Sequence, residues 1–190
     1  MTAPLVGFAM CGSFCTHARA LAVMRGLREA GYELQPILSP IAATTDTRFG
    51  RADTLLREVE GICGRPPITT VVDAEPLGPA HPLDALVIAP CTGNTLAKMA
   101  NGITDTSVTM AAKAHMRAGR PLVVALASND ALSANLSNIA TLLTRKSVYF
   151  VPLLQDDPKG KPHSLVACLE RTPEALEAAM EGRQLRPLFL

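Results

Sequence analysis

The chain has 190 residues, enough for one domain with a sizeable core, and 48% of them are apolar, which excludes a disordered polypeptide. A net charge of +1, an aromatic content of 4% and the absence of Trp exclude the basic surface and stacking platform of a nucleic-acid binder. No apolar run approaches the roughly 20 residues of a membrane span, and Met1-Thr2-Ala3-Pro4 lacks the basic start of a signal peptide.

Leu5 to Met10 reads as a first strand, broken by Cys11-Gly12-Ser13-Phe14. A helix follows from Thr16 to Ala30, with Ala18, Leu21, Ala22, Met24 and Leu27 on one face, and Gly31 stops it. Glu33 to Ser39 is a second strand ended by Pro40. Thr44 to Gly50 is polar and irregular. A helix from Asp53 to Ile62 and a short strand near Ile68 to Val72 come next, then a Pro-rich connector from Pro76 to Pro82. Leu83 to Ala89 is a buried strand that breaks at Pro90. Thr95 to Ala100 is a short helix, and Asp105 is placed to cap a second one, Thr106 to Arg117. Pro121 to Ala127 is a further buried strand, broken by Ser128-Asn129-Asp130. The pattern closes with a helix from Ser133 to Leu143, a strand from Val148 to Val151, a polar loop from Gln155 to His163 and a helix from Pro173 to Glu181.

Strands alternating with helices, each strand a continuous apolar run, predict an α/β fold with a doubly wound, mainly parallel sheet, Rossmann-like or flavodoxin-like, over residues 1–190 as a single domain. Such folds bind ligands beyond the carboxyl ends of their strands. Those ends carry Gly12-Ser13, Ser39, Thr92-Gly93-Asn94-Thr95, Ser128-Asn129 and Gln155 to Lys161, all polar or glycine-rich. The run from Val87 to Thr106 is the most informative. A strand ending in Cys91-Thr92-Gly93-Asn94-Thr95 and opening a helix offers backbone N–H groups to a phosphate or carboxylate.

Absent motifs narrow the chemistry. The first turn is not G-x-G-x-x-G, no P-loop exists, and no G-x-S-x-G elbow or hydrolase arrangement surrounds His17, His81, His115 or His163. Cys11, Cys15 and His17 lack zinc-site spacing, so no metal is expected. The five scattered cysteines, Cys11, Cys15, Cys63, Cys91 and Cys168, suit a reducing cytoplasm rather than a disulfide framework. Several residues keep two readings. The Gly12–Thr16 turn either cradles a ligand or only starts a helix. Cys91 is either activated by a helix start or a buried thiol. Lys98 and Arg48 are candidate clamps for a carboxylate, or solvated surface cations. The Asp156–Lys161 segment is either a lid or a surface loop.

Gly12-Ser13, Ser39 and the run Ala89 to Asp105 (APCTGNTLAKMANGITD) resemble the flavoprotein family of cysteine-type decarboxylases and flavin prenyltransferases. Thr47-Arg48-Phe49-Gly50, Ala74 to Pro79, Met110 to Ala114, Ser128 to Leu132 and Gln155 to Pro158 extend the resemblance over most of the chain, toward the dipicolinate synthase B subunits. The resemblance implies oxidation of dihydrodipicolinate to dipicolinate in endospore formation. It also implies an A subunit holding NADP or NAD, a diacid substrate, homo-oligomers and a site for FMN. By the family pattern Ser13, Ser39, Thr92, Asn94 and Thr95 would hold the flavin phosphate or ribityl chain, with Ser128 and Asn129 near the ring. The decarboxylase branch carries P-x-M-N-x-x-M where this chain has Ala127 to Leu132 and shares only an Asn, which speaks against cysteine decarboxylation. A decarboxylase or prenyltransferase, and a non-catalytic subunit with a vestigial pocket, are the alternatives.

Overall fold

Uninterrupted apolar runs form the central strands. In the computed structural model, which describes residues 3–78 and 83–190, β1 (Leu5–Met10), β3 (Ala85–Thr92) and β4 (Leu122–Ser128) are buried along nearly their whole length. β1 pairs in parallel with β2 (Glu33–Leu38) on one side and with β3 on the other, and β3 pairs in parallel with β4. β5 (Val148–Phe150) runs parallel along the first half of β4. The order β2-β1-β3-β4 reverses between β1 and β3, as in flavodoxin-like folds, whose crevice opens at the carboxyl ends of those two strands.

Helices cover both faces. α1 (His17–Glu29) packs on α3 (Ala52–Cys63) and on α8 (Thr172–Met180). In the other layer α6 (Ser107–Arg117) packs on α5 (Gly93–Ala100) and on the short α4 (Val71–Ala74), and α5 on α7 (Leu136–Leu143). Local rules fix the ends. Gly31 has φ 94° after α1, and Tyr32 N–H reaches Leu27 O at 3.1 Å while Gly31 N–H reaches Arg28 O at 3.0 Å, a Schellman stop. α2 (Pro40–Thr44) starts at Ser39, whose Oγ accepts from Ala42 N–H. Among the described residues no helix is long and apolar enough to cross a membrane.

Four expectations change. Ile68 makes one bridge to Ile37, and the strand near Ile68 to Val72 is replaced by α4, because Thr70 Oγ1 accepts from Asp73 N–H at 3.1 Å and starts a helix. The strand from Leu83 does not break at Pro90. β3 runs on to Thr92 with a register shift between Ile88 and Cys91, an irregularity that accommodates a residue with no N–H, and the Ala89–Pro90 peptide is cis. Asp105 does not cap α6. Thr106 and Thr109 form a reciprocal capping box at 3.0 and 3.1 Å, and Asp105 binds Lys98 instead. Val148 to Phe150 is not the last strand. β6 (Leu153–Leu154) and β7 (Leu165–Ala167) form an antiparallel hairpin on β4, with Leu165 opposite Ser128. They are too short for periodicity to reveal. The connector from Pro76 to Pro82 overlaps a 3-10 turn at Glu75–Leu77, while its end, with His81, lies outside the described residues.

Candidate site at the carboxyl edge of the sheet

Because β1 to β4 are parallel, the turns after them share one edge. Ser39 N–H binds Met10 O at 3.0 Å and Cys11 N–H binds Pro90 O at 3.1 Å, so the chain ends of β2, β1 and β3 are tied side by side. Gly12 lies against α2: a Cβ there would stand 2.9 Å from Ile41 Cγ2. Gly93 lies against the turn after β4, where a Cβ would stand 2.6 Å from Asn135 Nδ2 and 2.9 Å from Asp130 Oδ1, and closer still to Ser128 Oγ. Thus Gly12, Ser13, Ser39, Thr92, Gly93, Asn94, Thr95, Ser128 and Asn129 all reach this edge.

Their side chains divide into two groups. Some are engaged internally. Thr92 Oγ1 caps α5 by accepting from Thr95 N–H at 3.2 Å and donates to Thr95 Oγ1 at 3.1 Å. Thr95 is buried and donates to Cys11 Sγ at 3.3 Å, so it faces the core rather than the crevice. Ser39 is buried beneath α2. The hydroxyl of Ser13 and the amides of Asn94 and Asn129, in contrast, have no hydrogen-bond partner among the described residues, and Asn94 and Asn129 are exposed. These free groups are neutral donors and acceptors, suited to a phosphate ester and a polyol.

The thiols and imidazoles of the site are quiet. Burial pushes the Cys11 thiol up to about 11 and Cys91 well above the ordinary thiol range, so Cys91 is a buried thiol, not one activated by the helix start. His17 donates from Nε2 to Cys11 O at 2.7 Å, and burial holds its pKa below the usual imidazole value. Among the described residues no group of three or more His, Cys, Asp or Glu could hold a metal.

The two cations proposed as clamps part company. Lys98 is ion-paired with Asp105 at 2.7 Å, so its ammonium already has a carboxylate partner. Arg48 is exposed on the Thr47–Gly50 turn, its guanidinium 4.8 Å over the Phe49 ring and without a carboxylate partner among the described residues. That turn lines a cavity of about 310 Å³ shared with Phe14, Cys15 and Thr45, directly beside the turn after β1. From the other side, the β6–β7 hairpin projects its loop beyond Ser128, past the same edge. Lys161 in this loop pairs with Asp156 at 3.0 Å.

One group escaped sequence reasoning. Asp130, read only as a strand breaker, is an exposed carboxylate at the edge, held by Ser128 Oγ–H and by Asn135 Nδ2–H at 3.0 Å. Those two donors hold its pKa below the ordinary carboxylate value. The spacing Ser128-x-Asp130 with Asn135 five residues on was the available signal.

Comparison with known proteins assigns the family. The sequence model described as Flavoprotein matches residues 3–182. The chain belongs to the flavoprotein family. It is 40% identical over 185 residues to the dipicolinate synthase B subunit of Bacillus subtilis (strain 168), covering 97% of this chain and 92% of that one. The crystal structure of the dipicolinate synthase B subunit from Bacillus halodurans superposes with a TM-score of 0.91 at 44% identity, covering 100% and 97% of the two chains. A dodecameric FMN-dependent UbiX-like decarboxylase from Escherichia coli O157:H7 is more distant, at a TM-score of 0.65 and 25% identity over 78% and 79%.

Proposed function

We propose that this flavoprotein-family chain is the B-type subunit of a dipicolinate synthase, which works as one domain with an A subunit in the cytoplasm of a spore-forming cell. The reaction is oxidation of dihydrodipicolinate to dipicolinate. Two hydrogens leave the ring, one as hydride to a nicotinamide acceptor, NADP or NAD, held by the A subunit, and one as a proton. The observation that carries this reading is similarity to two B subunits over essentially the full length, at 40% and 44% identity. The altered P-x-M-N-x-x-M position favours it over cysteine decarboxylation.

The edge fits an FMN-like group. Gly12 and Gly93 leave the backbone bare where a methyl would collide, and Ser13, Asn94 and Asn129 present unengaged neutral polar groups. In this reading Gly12, Ser13 and Ser39 hold the phosphate, and Asn94 lines the polyol beside the helix start that Thr92 and the core-facing Thr95 brace. Ser128 and Asn129 flank the ring. When bound, the flavin supplies a two-electron carrier. Arg48, with its turn beside the cavity, clamps a substrate carboxylate. The loop from Gln155 to His163 covers the edge and keeps water out. Self-association is expected by analogy with the dodecameric UbiX-like relative.

Reconstitution tests the reading. The chain, an A-type subunit, dihydrodipicolinate and NADP should give dipicolinate, followed by its ultraviolet absorbance. Product formation that does not depend on this chain refutes the assignment. FMN added to the purified chain should lose fluorescence on binding, and no quenching removes the cofactor.

A further inference from the structure

Asp130 stands where a ligand anion was expected. Its Oδ1 lies 2.9 Å from the position of a Cβ on Gly93, the first residue of α5. The start of that helix, with its unpaired N–H groups and positive end, therefore already faces a negative charge from the chain itself.

The carboxylate is held unusually well for an exposed side chain. Oδ1 accepts from Ser128 Oγ and from Asn135 Nδ2. Asn135 is buried, and its Oδ1 accepts from Asn138 Nδ2 at 2.9 Å. Asn138 Oδ1 in turn accepts from Asn101 Nδ2 at 3.4 Å. This relay of three amides runs one way, from the end of α5 through the first turn of α7 to Asp130, and every N–H in it points toward the carboxylate. The Asp130 carbonyl also accepts from Ser133 N–H and Asn135 N–H, both at 3.1 Å. Among the described residues no Lys or Arg forms an ion pair with Asp130, and no side chain bonds Oδ2.

A fixed, ionised carboxylate with a free oxygen and no cationic side chain paired to it repels anions and accepts hydrogen bonds. We infer that Asp130 is a positioning residue whose Oδ2 accepts a hydrogen bond from a neutral N–H or O–H of the bound group, and that phosphate and carboxylates are kept away from the start of α5. This rests on the proposed function and sharpens it. The anionic end of a cofactor is sent to the turns at Gly12-Ser13 and Ser39, and a neutral part lies at Asp130. The donor is either a hydroxyl or imide N–H of the flavin, or the ring N–H of the dihydropyridine.

Asp130→Asn keeps the shape and removes the charge. A cofactor donor predicts FMN affinity, read by fluorescence quenching, weakened about tenfold to hundredfold, the range for one hydrogen bond to a charged acceptor. A substrate donor predicts unchanged FMN affinity and a comparable rise in KM for dihydrodipicolinate in the reconstituted enzyme. Asn138→Ala, which cuts the relay but keeps the carboxylate, should move the same readout in the same direction by less, and it serves as the test if Asp130→Asn does not fold. A carboxylate that only braces the fold would shift the melting temperature and neither binding constant. Unchanged binding of both ligands overturns the inference, as does tighter FMN binding by Asp130→Asn, since an anion then sits there after all. Wild-type chain that binds neither FMN nor substrate overturns the proposed function itself, which separates the two failures.

Discussion

Gly93→Ala tests whether the start of α5 and the turn after β4 are as tightly apposed as the geometry requires. The new methyl would stand 2.6 Å from Asn135 Nδ2 and 2.9 Å from Asp130 Oδ1, and it would strike Ser128 Oγ. None of the three can retreat freely. Asn135 is buried and bonded to Asn138, Ser128 sits in β4 opposite Leu165, and Asp130 is held by both. Overpacking by one methyl costs about 1–3 kcal/mol. Displacing the Ser128 and Asn135 bonds adds roughly 1 kcal/mol, taken low because Asp130 is exposed. Replacing Gly by Ala in a helix returns about 0.5–1 kcal/mol. The net loss is about 1–3.5 kcal/mol, or roughly 3–12 °C in Tm for a chain of this size. Thermal melts followed by far-ultraviolet circular dichroism measure it, with FMN quenching in parallel. A variant that melts within about 1 °C of wild type, a difference below what one displaced contact would cause, refutes the close apposition and with it the placement of Asp130 at the helix start.

Gly12→Ala should behave differently. Its methyl meets Ile41 Cγ2, the end of a half-exposed side chain that can rotate away, so stability should change by less than about 1 kcal/mol while FMN binding weakens; unaltered FMN affinity would take the phosphate away from this turn. Stability should fall as the pH drops below 6.5, because burial lowers the pKa of His17 and His115, so the unfolded chain takes up protons there that the folded one refuses. Urea midpoints across this window measure the slope, and His115→Gln, which removes a buried imidazole whose Nδ1 has no partner, should reduce it. At the alkaline end the raised thiols of Cys11 and Cys63, both about 11, reverse the sign, and stability should fall above pH 9 as the unfolded thiols ionise first. A midpoint that stays flat through both windows contradicts these burial effects. Arg48→Ala should leave Tm unchanged and raise KM for the diacid about tenfold, the lower end for a clamped charge because Arg48 is exposed; an unchanged KM assigns it to solvent.

The parallel core was legible in the sequence because buried strands such as Leu86 to Ala89 and Leu122 to Leu126 are apolar without interruption, and a period need not be guessed. The edge positions followed from the same logic, since parallel strands bring their carboxyl ends together whatever the loops do. What failed was decided by competition between neighbours. Asp105 and Thr106 both can cap a helix, and only the hydroxyl of Thr109 three residues past Thr106, together with Lys98 across the loop, settles which one does. Thr70 outcompeted the β-branched pattern around it in the same way. β6 and β7 are held by pairing with each other and with Ala127 and Ser128, an interaction that a local reading does not contain.

The expectation of an anion cradle at Thr92 to Thr95 shows where such local reading ends. The turn and the helix start are present, but their two hydroxyls close on each other and on Cys11, and the charge that completes the helix end arrives from Asp130, 37 residues beyond Gly93 in the chain. A helix start attracts an anion from whatever source is nearest, and a covalently attached carboxylate has the advantage of effective concentration over any ligand. The same field that would have drawn a phosphate therefore works against it once Asp130 is in place. The free neutral groups, Ser13 after β1 and Asn94 and Asn129 flanking the carboxylate, then set a polarity along the edge. An anionic end belongs at the β1 and β2 turns, where no such carboxylate intervenes in the contacts of Ser13 and Ser39, and a hydrogen-donating end belongs at β4. Comparing FMN with riboflavin on the wild-type chain and on Gly12→Ala tests this directly. Loss of the phosphate should weaken binding as Gly12→Ala does and should not add to it, because both remove the same contact. Additive losses would place the phosphate elsewhere on the edge.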